Sequence, residues 1–286
     1  MKVIVVDSNA LAYRSKYSMR GLSHEQQETG VIFGFMVEIL RLAKMFETTR
    51  FVFCWDSKKS YRKEDYPKYK YKRHDKSKKT SEEIYMDQVA FLQFDMLRKY
   101  VLPMFGFRNV FLKSGYEGDD LIANIVLNNK GEFIIVSNDE DLYQLLDHAP
   151  IYSLKHKKLF TKDDFVKEYT ITPREWIDVK SIAGCHTDNV EGIKGIGEKT
   201  VIKYLKDQTK DSINQRIENH REMIKRNRKL VKLPYRLEGE PMDKITPTFK
   251  NEKFSMARFH NLCDEFYFQS FKRSTALWVK TFNMEE

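Results

Sequence analysis

The chain opens with an unbroken apolar run, Val3-Ile4-Val5-Val6, that stops at Asp7. Such a run predicts a short strand covered on both faces. Phe35, Ile39, Leu42 and Phe46 then recur at helical spacing and predict a helix with one apolar face. Phe51-Val52-Phe53-Cys54-Trp55 repeats the strand pattern and stops at Asp56. Thr80 and Glu83 have capping-box spacing, and Tyr85, Val89, Leu92 and Met96 continue that helix along one apolar face. A strand near Val110 and Leu112, a helix over 117–128, a strand over 133–136 and a helix opening near Asp139 follow. Strands alternating with helices predict an α/β domain built on a mostly parallel sheet.

The pattern then turns helical. Thr172 as N-cap, Pro173 at the first helical position and Glu175 at the third give a strong start, and Gly184 should end that helix. A turn-rich stretch over 185–197 leads into a helix through about Leu205, and a very polar helix is expected over 212–231. An irregular segment carries Pro234, Pro241 and Pro247, and residues 255–271 read as a final helix. The expected division is an α/β domain over 1–168 and a helical domain over 169–286.

Composition adds three constraints. The 286 residues, 41% hydrophobic, can bury a proper core, and this rules out global disorder. No apolar run reaches eighteen residues, and Asp7 stands where a signal peptide needs its apolar stretch, so a cytoplasmic protein is expected. Three scattered cysteines, Cys54, Cys185 and Cys263, suit a reducing compartment and no disulfide framework. The net charge of +9 is concentrated: residues 58–79 hold eleven Lys/Arg against three Asp/Glu, leaving the rest of the chain nearly neutral. A block of this kind attracts a polyanion, nucleic acid being the usual one.

The acidic residues have an order of their own. Asp7 and Asp56 end strands, Glu117, Asp119 and Asp120 stand at a strand-to-helix junction, and Asp139 and Asp141 stand at another. In a parallel sheet these points share the carboxyl edge, where ligands bind in open α/β folds. Seven carboxylates placed together would repel one another unless cations were present. Oxygen donors select hard ions, magnesium first and manganese next. Two such ions can drive phosphodiester hydrolysis. Taken singly, each aspartate also reads as a helix cap.

These segments, in their order, resemble the 5′ nucleases that include the N-terminal domain of bacterial DNA polymerase I, phage 5′ nucleases and flap endonucleases. The resemblance rests on Val5-Val6-Asp7-Ser8-Asn9, Phe53-Cys54-Trp55-Asp56, Tyr61-Arg62 with Tyr66-Pro67-Lys68-Tyr69-Lys70, and Tyr116-Glu117-Gly118-Asp119-Asp120. It rests above all on the run Val136-Ser137-Asn138-Asp139-Glu140-Asp141 and the run from Thr187 to Thr200. It implies a PIN-like nuclease domain with a basic helical arch over about 58–100, joined to a helix–three-turn–helix domain. By the same match Asp7, Asp56, Glu117 and Asp119 look like ligands of a first metal, and Asp139, Asp141 and Asp188 of a second. Asp119 or Asp120 would stand between the ions. Tyr13 resembles a residue that stacks on a base. Lys70 and Arg73, three apart, would share a helix face and steer the scissile phosphate.

Gly192, Gly195 and Gly197 lie in Gly-Ile-Lys-Gly-Ile-Gly ahead of a helix that carries Lys199 and Lys203. A nucleotide-binding loop would need a preceding strand, whereas here backbone N–H groups can meet a duplex phosphate. The family often holds a monovalent ion at this hairpin, which implies K⁺. Two departures stand out. Cys185 occupies a position where the family usually has aspartate, and Asn138 replaces a glycine, which suggests a left-handed backbone there. The resemblance implies an enzyme acting on flapped, branched or nicked DNA and on RNA primers in hybrids, and because the sequence ends at Glu286 a monomeric, stand-alone enzyme is expected. A replicative polymerase or single-strand-binding protein would be its partner. A noncatalytic junction binder of the same fold is the alternative.

Overall fold

The computed structural model describes residues 2–18, 23–24, 27–74, 79–237, 239 and 241–285. Six strands form the central sheet, in the spatial order Val110–Leu112, Phe51–Trp55, Lys2–Asp7, Glu132–Val136, Ile151–Ser153 and Lys158–Phe160. The first five are mutually parallel and only the last runs antiparallel. Because Ile4 pairs with both Phe51 and Ile134, the Lys2–Asp7 strand lies between the other two apolar strands. It is buried on both faces, as its unbroken apolar run requires. The α/β architecture expected from the sequence is therefore present. The last two strands and the Lys162–Tyr169 helix lie beyond the elements that the pattern had disclosed.

Two apolar layers flank the sheet. One face packs against the Gly30–Phe46 helix, and the other against the Gly118–Asn128 helix. The second layer continues without a break into Trp176, Val179 and Val201. The C-terminal helices Met256–Glu265, Gln269–Arg273 and Thr275–Phe282 return to the first layer, where Phe259, Trp278 and Phe282 join Phe35, Phe105 and Phe107. The stretch expected to be one final helix, 255–271, breaks after Glu265 into the first two of these, and the third follows beyond it. They pack into the first apolar layer of the α/β core. The Pro-bearing segment takes the chain back, tied down where Ile245 N donates to Asn124 Oδ1 (2.8 Å) and Thr248 N to Asn109 Oδ1 (2.9 Å).

Several local expectations are met. Thr80 and Glu83 form their capping box at the start of Ser81–Met96. Thr172 and Glu175 do the same, although the first turn, Pro173–Glu175, is a 3₁₀ turn before the Trp176–Ala183 helix. The polar helix over 212–231 divides into Asp211–Glu218 and Arg221–Val231. Ser81–Met96 does not bury the face its periodicity suggests. It turns Ala90, Gln93 and Phe94 inward and leaves Tyr85 and Leu92 exposed. Gln93 Oε1 decides the rotation, accepting from Val31 N (3.0 Å) and Ile32 N (3.3 Å) at the otherwise uncapped start of the neighbouring helix. Asn138 has no positive φ, unlike the residues that do. Its side chain instead accepts from Lys155 N at 2.9 Å.

Candidate metal centre

The carboxylates reach the sheet edge because strand ends deliver them there. Asp7 closes its strand and caps the Ser8–Ser18 helix, with Oδ1 accepting from Ala10 N (3.0 Å) and Oδ2 from Ser137 Oγ (2.7 Å). Asp56 follows the next strand, and its Oδ1 accepts from Gly118 N at 2.7 Å. Gly118 suits that approach, since a Cβ there would crowd Asp56 Oδ1 at 3.2 Å. Asp119 enters in the first turn of the Gly118–Asn128 helix. Asp139 caps the Glu140–Leu145 turn through Asp141 N (2.8 Å). The cap reading and the ligand reading therefore coexist: each cap fixes a carboxylate without consuming all of its oxygen lone pairs.

Electrostatics shows that these groups share one site. Burial, then Asp56, pushes the Asp7 carboxyl up to about 7. Burial, then Asp139, Asp7 and Asp56, pushes Asp119 well above the carboxylate range. Burial and Asp139 raise Asp141 to about 7, against the pull of Lys180. Glu117 goes the other way: burial raises it, but Lys70 and Arg62 outweigh burial and hold it low. Asp7 and Asp141 therefore bind protons between about pH 4 and 7 in the folded chain that they would release when unfolded. Metal-free stability is expected to fall as pH rises through that window. Added divalent metal should reverse the fall by taking the place of those protons, which thermal melts at pH 5 to 8 with and without MgCl₂ will check. A metal-free melting temperature that climbs over this range would contradict the shared site.

Asp141, Cys185 and Asp188 form a second cluster that could hold a metal ion, with donor atoms all within 4.8 Å of one another. The hairpin pairing Val190 with Cys185 and Glu191 with Gly184 holds Cys185 and Asp188 in place. Gly192 is needed for this packing and is not an open phosphate contact, because a Cβ there would lie 1.9 Å from Ala183 O. Gly195 and Gly197, by contrast, face open space ahead of the Glu198–Leu205 helix, whose Lys199 and Lys203 are exposed.

Between the two groups lie residues of the basic tract, which folds much further than its charge suggests. Lys70 Nζ stands 2.7 Å from Glu117 Oε2 and 3.7 Å from Asp188 Oδ2, and its backbone N–H donates to Asp188 O at 2.8 Å. Lys70 has φ 51° and precedes the Tyr71–His74 3₁₀ turn, so it shares no helix face with Arg73. The side chain of Arg73 and residues 75–78 lie outside the described residues. The buried Tyr69 hydroxyl lies 3.0 Å from both Glu117 Oε2 and Asp188 Oδ2. The sequence marked it only as a member of the Tyr66–Lys70 segment, with no role of its own.

Asp120 leaves the ligand set. It is fully buried, and both its oxygens are engaged by Arg62, at 2.6 and 2.7 Å. Lys180, buried beside Trp176, was also missed: its Nζ donates to Glu198 Oε1 (2.8 Å) and stands 3.9 Å from Asp141 Oδ1. Tyr13 projects from the Ser8–Ser18 helix, 37% exposed and edge-on to Phe94 at 5.0 Å. It is a half-buried aromatic packed against Phe91 and Phe94.

Comparison with known proteins adds an independent line. A family described as 5′-3′ exonuclease, N-terminal resolvase-like domain, matches residues 2–170. The 5′-3′ exonuclease of Bacillus subtilis is 30% identical over 232 residues, 76% of this chain and 73% of its own length. DNA polymerase I of Mycobacterium leprae is 25% identical over 93% of this chain, which spans only 30% of that protein. Among solved structures, a T5 5′-exonuclease with divalent zinc bound aligns at a TM-score of 0.70. It is 25% identical, covering 82% of this chain and 90% of that one. The flap endonuclease-1 of Methanococcus jannaschii, 17% identical, shares the fold at a TM-score of 0.56 over 99% of this chain and 91% of its own.

Proposed function

Since the chain belongs to the 5′-3′ exonuclease family and is a nuclease of its kind, we propose that it hydrolyses DNA phosphodiesters at 5′ single-strand/duplex junctions with Mg²⁺. The observation that carries this reading is the electrostatic frustration at the sheet edge. Asp7, Asp119 and Asp141 are held up by burial and by neighbouring aspartates, Asp139 acting on all three, and Lys70 is placed against Glu117 and Asp188. A donor set dominated by carboxylate oxygen fits hard divalent ions. Asp7, Asp56, Glu117 and Asp119 would hold the first ion, and Asp139, Asp141 and Asp188 the second. When bound, such ions lower the pKa of water and offset charge on the leaving oxygen. Mn²⁺ would substitute for Mg²⁺.

The chain's own groups do the rest. Lys70 exchanges Glu117 for the scissile phosphate and places it at the carboxylate edge. Tyr13 offers a ring for an unpaired base. Gly195, Gly197, Lys199 and Lys203 grip duplex phosphates with no base code, and K⁺ would fit beside that hairpin. The reading places the enzyme in the cytoplasm of a bacterial or infected cell, beside a polymerase or single-strand-binding protein. End-labelled 5′-flap, nicked and blunt duplexes, each with Mg²⁺ and with EDTA, test it. Cleavage of all three in EDTA, or of none in Mg²⁺, would refute it.

Lys70→Ala is expected to lower turnover by roughly 10²-fold or more with little change in DNA affinity, because the ammonium acts on developing charge. The exposed Lys58→Ala should instead weaken binding and leave turnover alone. Single-turnover rates beside Kd values separate the two, and equal, affinity-only losses would make Lys70 an ordinary member of the basic tract.

A further inference from the structure

We propose that Cys185 supplies a sulfur ligand to the second ion, which makes this pocket prefer thiophilic divalent ions to magnesium. This rests on the metal-dependent reading above. The geometry favours it in three ways. The Cys185 side chain is buried, yet its Sγ turns toward the carboxylates: it lies 3.9 Å from Asp141 Oδ2, within the same 4.8 Å triangle as Asp188. The backbone cannot easily carry it elsewhere, because Cys185 pairs with Val190 and Gly184 crosses against Gly192. Thr187 Oγ1 stands 3.1 Å from Sγ, close enough to donate its proton to a thiolate. Neither Cys54 nor Cys263 stands in such a group among the described residues.

The chemistry follows from the donor set. One sulfur beside Asp141 and Asp188, with Asp139 as the further oxygen ligand, makes a mixed, borderline-soft set, closer to what zinc, cadmium and cobalt accept than to the all-oxygen shell that magnesium demands. Binding breaks the S–H bond, releases that proton to solvent and forms one sulfur–metal bond, so charge is conserved with no redox step. Relative to an aspartate at this position, the pocket gives magnesium one anionic oxygen fewer. An enzyme built this way needs more Mg²⁺, and trace zinc can displace Mg²⁺ from its second site.

Cobalt(II) titration of the full chain decides the matter. Wild type should show d–d absorption from bound cobalt together with a near-ultraviolet sulfur-to-cobalt charge-transfer band. Cys185→Ser should keep the d–d bands and lose the charge-transfer band, with Cys54 and Cys263 still present as internal controls. Cys185→Asp should lower the Mg²⁺ concentration for half-maximal cleavage on the order of tenfold. Wild type that binds cobalt without the charge-transfer band, or superimposable Mg²⁺ curves for wild type and Cys185→Asp, overturns the sulfur ligand while leaving the nuclease reading intact. A wild-type chain that binds no cobalt at any concentration overturns both.

Discussion

Asp119→Asn should reduce cleavage by roughly 10²- to 10³-fold, the several kcal/mol that a metal-bridging carboxylate can supply, while making the metal-free protein more stable. Both effects arise from one cause. Asp119 is raised well above the carboxylate range by burial and by Asp139, Asp7 and Asp56, two of which belong to the first group and one to the second. It therefore feels repulsion from acids of both proposed ligand sets. An asparagine keeps the size of the side chain and removes that repulsion, so the apo melting temperature should rise. The same change removes the strongest reason for a dication to bind, so stabilisation by added Mg²⁺ should shrink. Melting curves with and without Mg²⁺, beside single-turnover cleavage of a labelled flap, report the two effects separately. A variant that cuts within about tenfold of wild type would place the bridging role on another carboxylate.

Why the sequence disclosed some of this and not the rest comes down to what is local. Asp7, Asp56 and Asp139 were legible because each ends an apolar strand, and a parallel sheet sends all strand ends to one edge. Thr172, Pro173 and Glu175 were legible because a capping box is written within four residues. Arg62, Tyr69 and Lys180 were not. Their burial depends on partners 58, 119 and 18 residues away, and nothing in a lysine- and tyrosine-rich tract says which of its members will turn inward. Tyr85 and Leu92 misled for the converse reason. Their spacing is that of a buried face, but Gln93, bonded to the start of another helix, sets the rotation. Gly192 belonged with Gly195 and Gly197 by motif, and only the crossing at Ala183 separates them.

Asp120→Asn should do what Asp119→Asn does not: destabilise the chain by about 3–5 kcal/mol, with no direct effect on metal affinity. The two aspartates are neighbours in sequence, about 100° apart around their helix, and Asp120 is the fully buried one. Asp120 Oδ2 accepts from Arg62 Nη1 (2.6 Å) and Glu117 N (3.0 Å), and Oδ1 from Arg62 Nη2 (2.7 Å) and Tyr235 N (2.7 Å). Its four lone pairs are therefore spent on four donors, and none is left for an ion. An asparagine replaces one of these oxygens with an NH₂ group. Two donors then lose their acceptor, and a guanidinium that is 3% exposed keeps its charge with only Glu117, 3.7 Å away and already paired with Lys70, as counter-ion. Arg62 also donates to Leu230 O at 2.7 Å, so this pair ties the basic tract to the end of the Arg221–Val231 helix and to the strand-end site. Losing it should loosen Lys70 together with the hairpin that presents Asp188. Melting temperature is expected to drop by roughly 10 °C, and the double change Asp120→Leu with Arg62→Met should recover part of it, since no unpaired charge remains buried. Activity of the surviving folded fraction at saturating Mg²⁺ is the discriminating readout. An Asp120→Asn protein with unchanged melting temperature but a raised Mg²⁺ requirement would return Asp120 to the metal site.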